Sequence, residues 1–248
     1  MNKMYDLNTI DRKYIDLSKE YGIKLDIQHI DDSNMPAQYV EENNNKATIK
    51  LNLSKINNTD YEIYLSYNIR KILLPKLRVE TERLIIRNFD LKDSDALFEF
   101  FSDKDSCYFD GGYEPYVGKN SDYYGLMADF ANDKTRYVVV QKDTDEVIGM
   151  IHLTIHNDRA VEVMEIGYTI NPSKRRNGYA MEATKAMVNY LLNTLNLDMI
   201  IAGILEENVI SLRMIEKLGF TFEGRKRKAL YHQVHGPSDL LYFYIERI

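Results

Sequence analysis

From Val79 onward the chain switches repeatedly between apolar residues at every second position and apolar residues three and four positions apart. The first spacing is that of a half-buried strand and the second that of an amphipathic helix. Strands are expected at Arg83–Arg87, Arg136–Lys142, Val147–His156, Val161–Ile170, Met199–Leu205, Phe220–Gly224 and Leu240–Glu246. Helices are expected at Asp93–Phe101, Asp122–Ala131, Gly178–Leu195 and Val209–Leu218. The polar turn Asp143–Glu146 joins two of the strands as a hairpin. The segment Ser106–Lys119 holds Gly111, Gly112 and Pro115 and reads as a loop. Strands interleaved with helices in this way predict an α/β fold built on a mixed sheet.

The first 78 residues follow a different pattern and predict a small α+β appendage. Ile10, Tyr14, Leu17 and Tyr21 recur at helical spacing over Thr9–Tyr21, and Gly22 ends that helix. Ile23–Ile27 and Thr48–Leu53 alternate like strands, with a polar break at Asp31–Asn45 between them. Thr59–Leu74 reads as an amphipathic helix stopped by Pro75. It contains no histidine, so a zinc-protease helix is excluded and a packing role is expected.

Composition narrows the class. The chain has 248 residues, a formal charge of −6, one cysteine and no tryptophan. A lone Cys107 forbids an internal disulfide and a cysteine-rich zinc site, and a buried apolar role is expected for it. No apolar run is long enough to span a membrane, and the first ten residues have no secretory core, so a cytoplasmic protein with no membrane partner is expected. The charge is uneven: residues 88–135 hold 11 acidic and 4 basic side chains, and the rest of the chain is almost balanced. Such a stretch disfavours nucleic acid and favours a cationic partner. The one basic cluster, Arg225–Lys228, is short and reads as a solvated loop.

The segment with the clearest chemistry is Glu165–Ala180, where a strand turns into a helix that begins at a glycine. The first turn of a helix exposes backbone N–H groups and a partial positive charge, which together favour an anion. Gly178 admits close backbone approach, Ala180 is small, and Arg175 or Arg176 can add a full charge to a diphosphate. The segment lacks the G-K-[ST] of a phosphate-binding loop and the G-x-G-x-x-G of a dinucleotide fold.

Over residues 79–248 the sequence resembles the GNAT family of acyl-CoA-dependent N-acetyltransferases, with its ribosomal-protein N-terminal acetyltransferase branch the nearest in pattern. Five segments carry the likeness in order: Glu80–Arg87, Val147–Ile151, Glu165–Tyr168, Arg175-x-x-Gly178-x-Ala180 followed by Glu182-Ala183, and Asn208-x-x-Ser211 leading to Glu216–Phe220. The resemblance implies a mostly antiparallel, seven-stranded sheet flanked by helices. It implies that the amides of Arg175, Arg176, Asn177, Gly178, Tyr179 and Ala180 bind the diphosphate of acetyl-CoA, the co-substrate, with no metal. It also implies that Ile166–Ile170, including Tyr168 and Thr169, pair with the pantetheine arm. The thioester would enter a gap between Ile170 and Met199–Ile201, and Asn208 would lie near the acetyl end.

The implied reaction is acetyl transfer to a primary amine by direct attack in a ternary complex. A base has to take the amine's proton, directly or through water; family members often place a carboxylate on this strand, so the resemblance makes Glu165 the candidate, with Glu206 and Glu207 behind it. A strand N–H near Gly167–Thr169 would meet the oxyanion. Many family members place a proton-donating tyrosine seven residues after the asparagine. Here Ile215 stands in that position, and Ser211 is the substitute donor. The acceptor is expected to be cationic: a protein N-terminus, a polyamine or an aminosugar, the last two in enzymes of resistance type. A non-catalytic acyl-CoA-binding regulator is the alternative outside enzyme chemistry. The pattern admits a homodimer. His152 and His156 share one strand face without a third metal ligand, so lining or structural roles are expected for both. His232 and His235 fall in a polar loop and carry no assigned role.

Overall fold

A computed structural model of the chain describes residues 24–30, 37–43, 46–52, 77–156 and 163–247, with single positions at 12, 15, 18, 159 and 161. Internal contacts divide the chain into two units, Met1–Pro75 and Lys76–Ile248. In the first, β1 (Lys24–Ile30), β2 (Ala37–Asn43) and β3 (Lys46–Asn52) form a sheet of order β1-β3-β2. β3 runs parallel to β1 and antiparallel to β2. Ile49 and Leu51 on the central strand are fully buried. The expected polar break at Asp31–Asn45 is therefore corrected, since it contains β2. That strand lies at an edge, where polar residues such as Gln38 and Glu41 are tolerated, and apolar alternation does not reveal it. Arg12, Ile15 and Ser18 are helical, as the periodicity over Thr9–Tyr21 predicts. The helix expected at Thr59–Leu74 lies outside the described residues.

The second unit is an eight-stranded sheet of order β10-β11-β9-β8-β7-β6-β5-β4. Its strands are β4 (Arg78–Glu80), β5 (Leu84–Asn88), β6 (Arg136–Gln141), β7 (Glu146–His156), β8 (Val163–Ile170), β9 (Met199–Ile204), β10 (Thr221–His232) and β11 (Gly236–Glu246). Every neighbouring pair is antiparallel except β8 and β9. The eighth strand, β4, is three residues long and too short to show a period. The basic cluster Arg225–Lys228 is not a loop. It belongs to β10, the outer strand, where charged side chains and the irregularities after Phe222 and Lys226 discourage pairing with another chain.

Helices cover the sheet. α1 (Ser94–Phe101), α2 (Lys104–Phe109) and α3 (Ser121–Ala131) lie between β5 and β6. The last turn of α2 occupies the start of the loop expected at Ser106–Lys119. Asp103 caps α2 by accepting from the Ser106 amide at 2.8 Å, and the glycines that suggested a loop follow its last turn. Phe89, Leu97, Phe100, Phe101, Tyr123 and Met127 pack with Val138, Val140, Val147 and Met150 into one apolar cluster. Burying each of the larger side chains contributes roughly 2 kcal/mol. α4 (Tyr179–Asn193) packs across β4, β5, β8 and β9 through Ala183, Met187 and Leu191, and α5 (Val209–Lys217) packs on β9. Among the described residues no helix is long and apolar enough to cross a membrane.

Candidate active site

The site grows from the one parallel strand pair. β8 and β9 are in register only at Val163↔Met199, Met164↔Ile200 and Glu165↔Ile201. Beyond this, β8 continues to Ile170 bonded to β7 alone, and β9 continues from Ala202 bonded to β11 alone. The strands therefore open into a cleft of about 210 Å³. Its walls are Ile166–Tyr168 and Ala202–Leu205, so the far wall expected at Met199–Ile201 is misplaced. Those three residues are the paired root, and the opening starts one residue later.

A side chain holds the fork. The Glu165 carboxylate accepts the Gly203 amide at 3.2 Å and lies 2.8 Å from His156 Nε2. The Tyr242 hydroxyl donates to its other oxygen at 3.4 Å. The Gly203 N–H is thus turned from a strand partner to a carboxylate. A Cβ on Gly203 would fall 2.8 Å from Glu165 Oε1 and 3.0 Å from the Tyr242 ring, so this contact needs glycine. Gly167 is needed for a like reason: the His152 ring covers it, and a Cβ there would come within 2.1 Å of that ring. Burial and the Arg136 charge push His152 down to about 4, which leaves it neutral at physiological pH.

At the end of β8 the chain turns into α4. Arg176 and Gly178 both have positive φ, 65° and 80°, and no side chain caps the helix. The first amides of α4 are thus left without intrahelical partners. A neighbouring network fixes the turn. Arg83 donates to the Asn177 carbonyl at 3.0 Å, forms an ion pair with Glu182 at 2.6 Å and lies over the Tyr179 ring. Thr81 donates to Glu182 at 2.6 Å. The two arginines of the turn differ. Arg175 bonds the Ile170 carbonyl at 3.1 Å and the Ser106 hydroxyl, which ties the turn to α2. Arg176 is exposed and forms no ion pair among the described residues.

α5 closes the cleft on another side. Asn208 caps that helix, its oxygen accepting the Ser211 amide at 3.2 Å, and both residues line the cleft. Ile215 is fully buried. The Tyr168 hydroxyl oxygen is buried beside Ser211; burial pushes the phenol up to about 12, and a hydrogen bond from Ser211 acts against that. At the mouth stand Phe109–Gly111, from the acidic stretch, and Leu230 and Leu240. Protein around the Asp110 carboxyl pushes it up to about 6, against the Tyr113 hydroxyl that donates to it and the Arg136 charge.

The expected residues fall into two places along β8. Glu165, Ile166, Tyr168, Asn208 and Ser211 line the cleft, while Arg175–Ala180 form the turn beyond Ile170. Thr169 and Ile170 continue β8 between them. Glu206 is drawn away to Arg225 at 2.8 Å, and neither it nor Glu207 lines the cleft. Gly203, Tyr242 and Asp110 were missed. Only the cross-strand register brings the first two to Glu165, and sequence spacing carries no sign of it. His156 was noted for its shared face with His152, but not for its carboxylate partner. His232 is buried and bonds the Tyr108 carbonyl at 2.9 Å, and His235 lies 3.0 Å from the Tyr108 hydroxyl, so the β10–β11 hairpin is clasped to α2. Cys107 is buried, and burial pushes its thiol up. Among the described residues no three metal-binding side chains cluster.

A mostly antiparallel sheet whose single parallel pair splays beside an uncapped helix start is the arrangement that the resemblance to acyl-CoA-dependent transferases implies. The acetyltransferase (GNAT) domain model matches residues 83–221, and the chain belongs to that family. It is an N-acetyltransferase of GNAT type. It is 29% identical over 161 residues to the uncharacterized N-acetyltransferase YnaD of Bacillus subtilis, covering 62% of this chain and 88% of that one. An acetyltransferase of the GNAT family from Bacillus anthracis superposes with a TM-score of 0.61 at 29% identity, covering 69% of this chain and 99% of that one. The ribosomal branch is only distantly similar. The uS5-alanine N-acetyltransferase of Escherichia coli is 23% identical, covering 61% of this chain and 81% of that one.

Proposed function

We propose that the second unit, Lys76–Ile248, transfers an acetyl group from acetyl-CoA to a primary amine by direct attack in a ternary complex, with the first unit, Met1–Pro75, as a separate appendage; the boundary expected after residue 78 moves back because Arg78 belongs to β4. The observation that carries this reading is the fork held by Glu165 and Gly203, which opens β8 toward the uncapped turn before α4. A further feature fits coenzyme A: the Arg176–Gly178 turn leaves helix amides for a diphosphate.

In this reading the amides of Gly178, Tyr179 and Ala180 hold the diphosphate. Arg176 adds charge, while Arg175 and Asn177 hold the turn. The β8 edge from Ile166 to Ile170 offers backbone groups to the pantetheine amides, because β9 no longer uses them. The bound thioester supplies an activated acyl carbon. An amide among Gly167–Thr169 faces the oxygen that gains charge. Asn208 orders the start of α5 beside the acetyl end. Glu165, held in place by the Gly203 amide, the Tyr242 hydroxyl and His156, accepts the proton that the amine nitrogen loses as the carbon–nitrogen bond forms. The acceptor enters past Asp110, which favours a cationic amine, either a peptide N-terminus or a small amine.

The test is release of free thiol from acetyl-CoA across a panel of peptide N-termini, polyamines and aminosugars, with Glu165→Gln beside the wild type. The reading predicts turnover with at least one cationic acceptor and a loss of about 100-fold or more in the variant. Coenzyme A binding without turnover on the whole panel would oppose it.

A further inference from the structure

We propose that His152 is a second donor to the oxyanion of the acyl transfer: its imidazole N–H, laid across Gly167, meets the thioester carbonyl oxygen that the Tyr168 amide also holds. The proposal rests on the acetyl-CoA reading given above.

The ladder fixes the first donor. The Asn171 amide donates to the Ile148 carbonyl at 2.8 Å, so the amides of Thr169 and Gly167, two and four residues earlier, also face β7. The amides between them face the other way, and β9 has left β8 after Glu165. The Tyr168 N–H therefore points into the opening with no strand to take it.

The second donor comes from the neighbouring strand. His152 on β7 is the register partner of Gly167. Because residue 167 has no side chain, the ring lies across β8, with its Cε1 and Nε2 atoms 2.1 Å from where a Cβ would stand. That crossing carries the ring from β7 to the cleft, which it lines, on the sheet face that holds the Glu165 side chain. The ring is only partly buried, and no hydrogen bond acts on it among the described residues. Arg136 stands opposite it on β6, and burial and that charge together outweigh the opposing pull of Asp133. The imidazole thus stays neutral. A neutral imidazole carries one N–H, and a cation beside it makes it a poorer base and a better donor.

The electrons and protons balance without a charge on His152. As the amine nitrogen bonds to the acyl carbon, the carbonyl π pair moves onto oxygen, between the Tyr168 N–H and the His152 Nε2–H. The pair returns as the carbon–sulfur bond breaks, and sulfur keeps the bonding electrons. The amine's proton goes to Glu165, and the thiolate takes one from water after release. His152 keeps its proton throughout.

The test reads the bound carbonyl directly and needs no acceptor. Infrared difference spectra are taken of acetyl-CoA carrying carbon-13 at the thioester carbonyl, bound to the wild type, His152→Phe and His152→Gln. A donor on the oxygen weakens the C=O bond, so the stretch should lie at lower frequency in the wild type than in His152→Phe. His152→Gln keeps an N–H and should fall between them. With an acceptor present, kcat should drop about 100-fold in His152→Phe, the loss expected for one oxyanion donor, and less in His152→Gln. KM for the acceptor should stay within threefold. The wild type gives a second readout: the His152 imidazole N–H proton should move downfield in the nuclear magnetic resonance spectrum with acetyl-CoA, and not with coenzyme A, which lacks the carbonyl.

An equal stretch in wild type and His152→Phe overturns the proposal. So does an N–H proton that responds alike to both ligands, or a His152→Phe variant that changes only KM for the acceptor. In all of these acetyl-CoA still binds, and the acetyl-CoA reading stands. A wild type that binds no acetyl-CoA overturns both.

Discussion

The Gly203 amide donates to the Glu165 carboxylate at 3.2 Å, across 38 residues of sequence. One bond both ends the β8–β9 ladder and fixes the carboxylate at the root of the opening. It links the fold to the chemistry, because the side chain that spreads the strands is also the proposed proton acceptor.

Gly203→Ala tests that link. The new Cβ would meet Glu165 Oε1 at 2.8 Å with the Tyr242 ring on its other side, so the carboxylate must move. Displacing a catalytic group by about 1 Å can cost on the order of 100-fold in rate. Steady-state kinetics should show kcat falling by at least tenfold with KM for acetyl-CoA changed less than threefold. An unchanged kcat would separate the fork from the reaction.

The acidic mouth predicts a pH effect on the acceptor. Asp110 is raised to about 6, above the ordinary carboxylate range, so it is charged above that pH and neutral below it. KM for a cationic acceptor should rise as pH falls through about 6, and Asp110→Asn should remove that rise. The dependence should weaken with added salt. Equal profiles in wild type and variant would remove Asp110 from acceptor binding.

The Arg83–Glu182 pair positions the turn rather than the acyl carbon. Arg83 also holds the Asn177 carbonyl, so Arg83→Gln should loosen residues 176–178. KM for acetyl-CoA should rise severalfold while kcat stays within a factor of about two, as expected when uniform binding is lost. The pair is partly exposed, so its contribution to stability is small, and the melting temperature should move little.

Much of the transferase unit was legible because its elements are long and periodic. The strands of Arg83–Ile170 and the helix after Gly178 repeat their apolar spacing often enough to be read one at a time. β4 and α2 were not, since three and six residues hold too few repeats. β2 and the Arg225–Lys228 stretch were hidden for another reason. Both lie at sheet edges, where polar residues replace apolar alternation. In the site, residues on one continuous segment were visible: Glu165, Tyr168 and Arg175–Ala180. The partners of Glu165 were not. Gly203 and Tyr242 reach it only through strand register, and register depends on which strands become neighbours, a tertiary choice that local spacing does not encode. The cleft's far wall was misplaced by the same gap in information.

The most direct test is a crystal structure with coenzyme A bound. The account predicts the diphosphate on the amides that follow Gly178 and the pantetheine along Ile166–Ile170. A ligand lying elsewhere, or a turn at Arg175–Ala180 that makes no contact with it, would contradict the account.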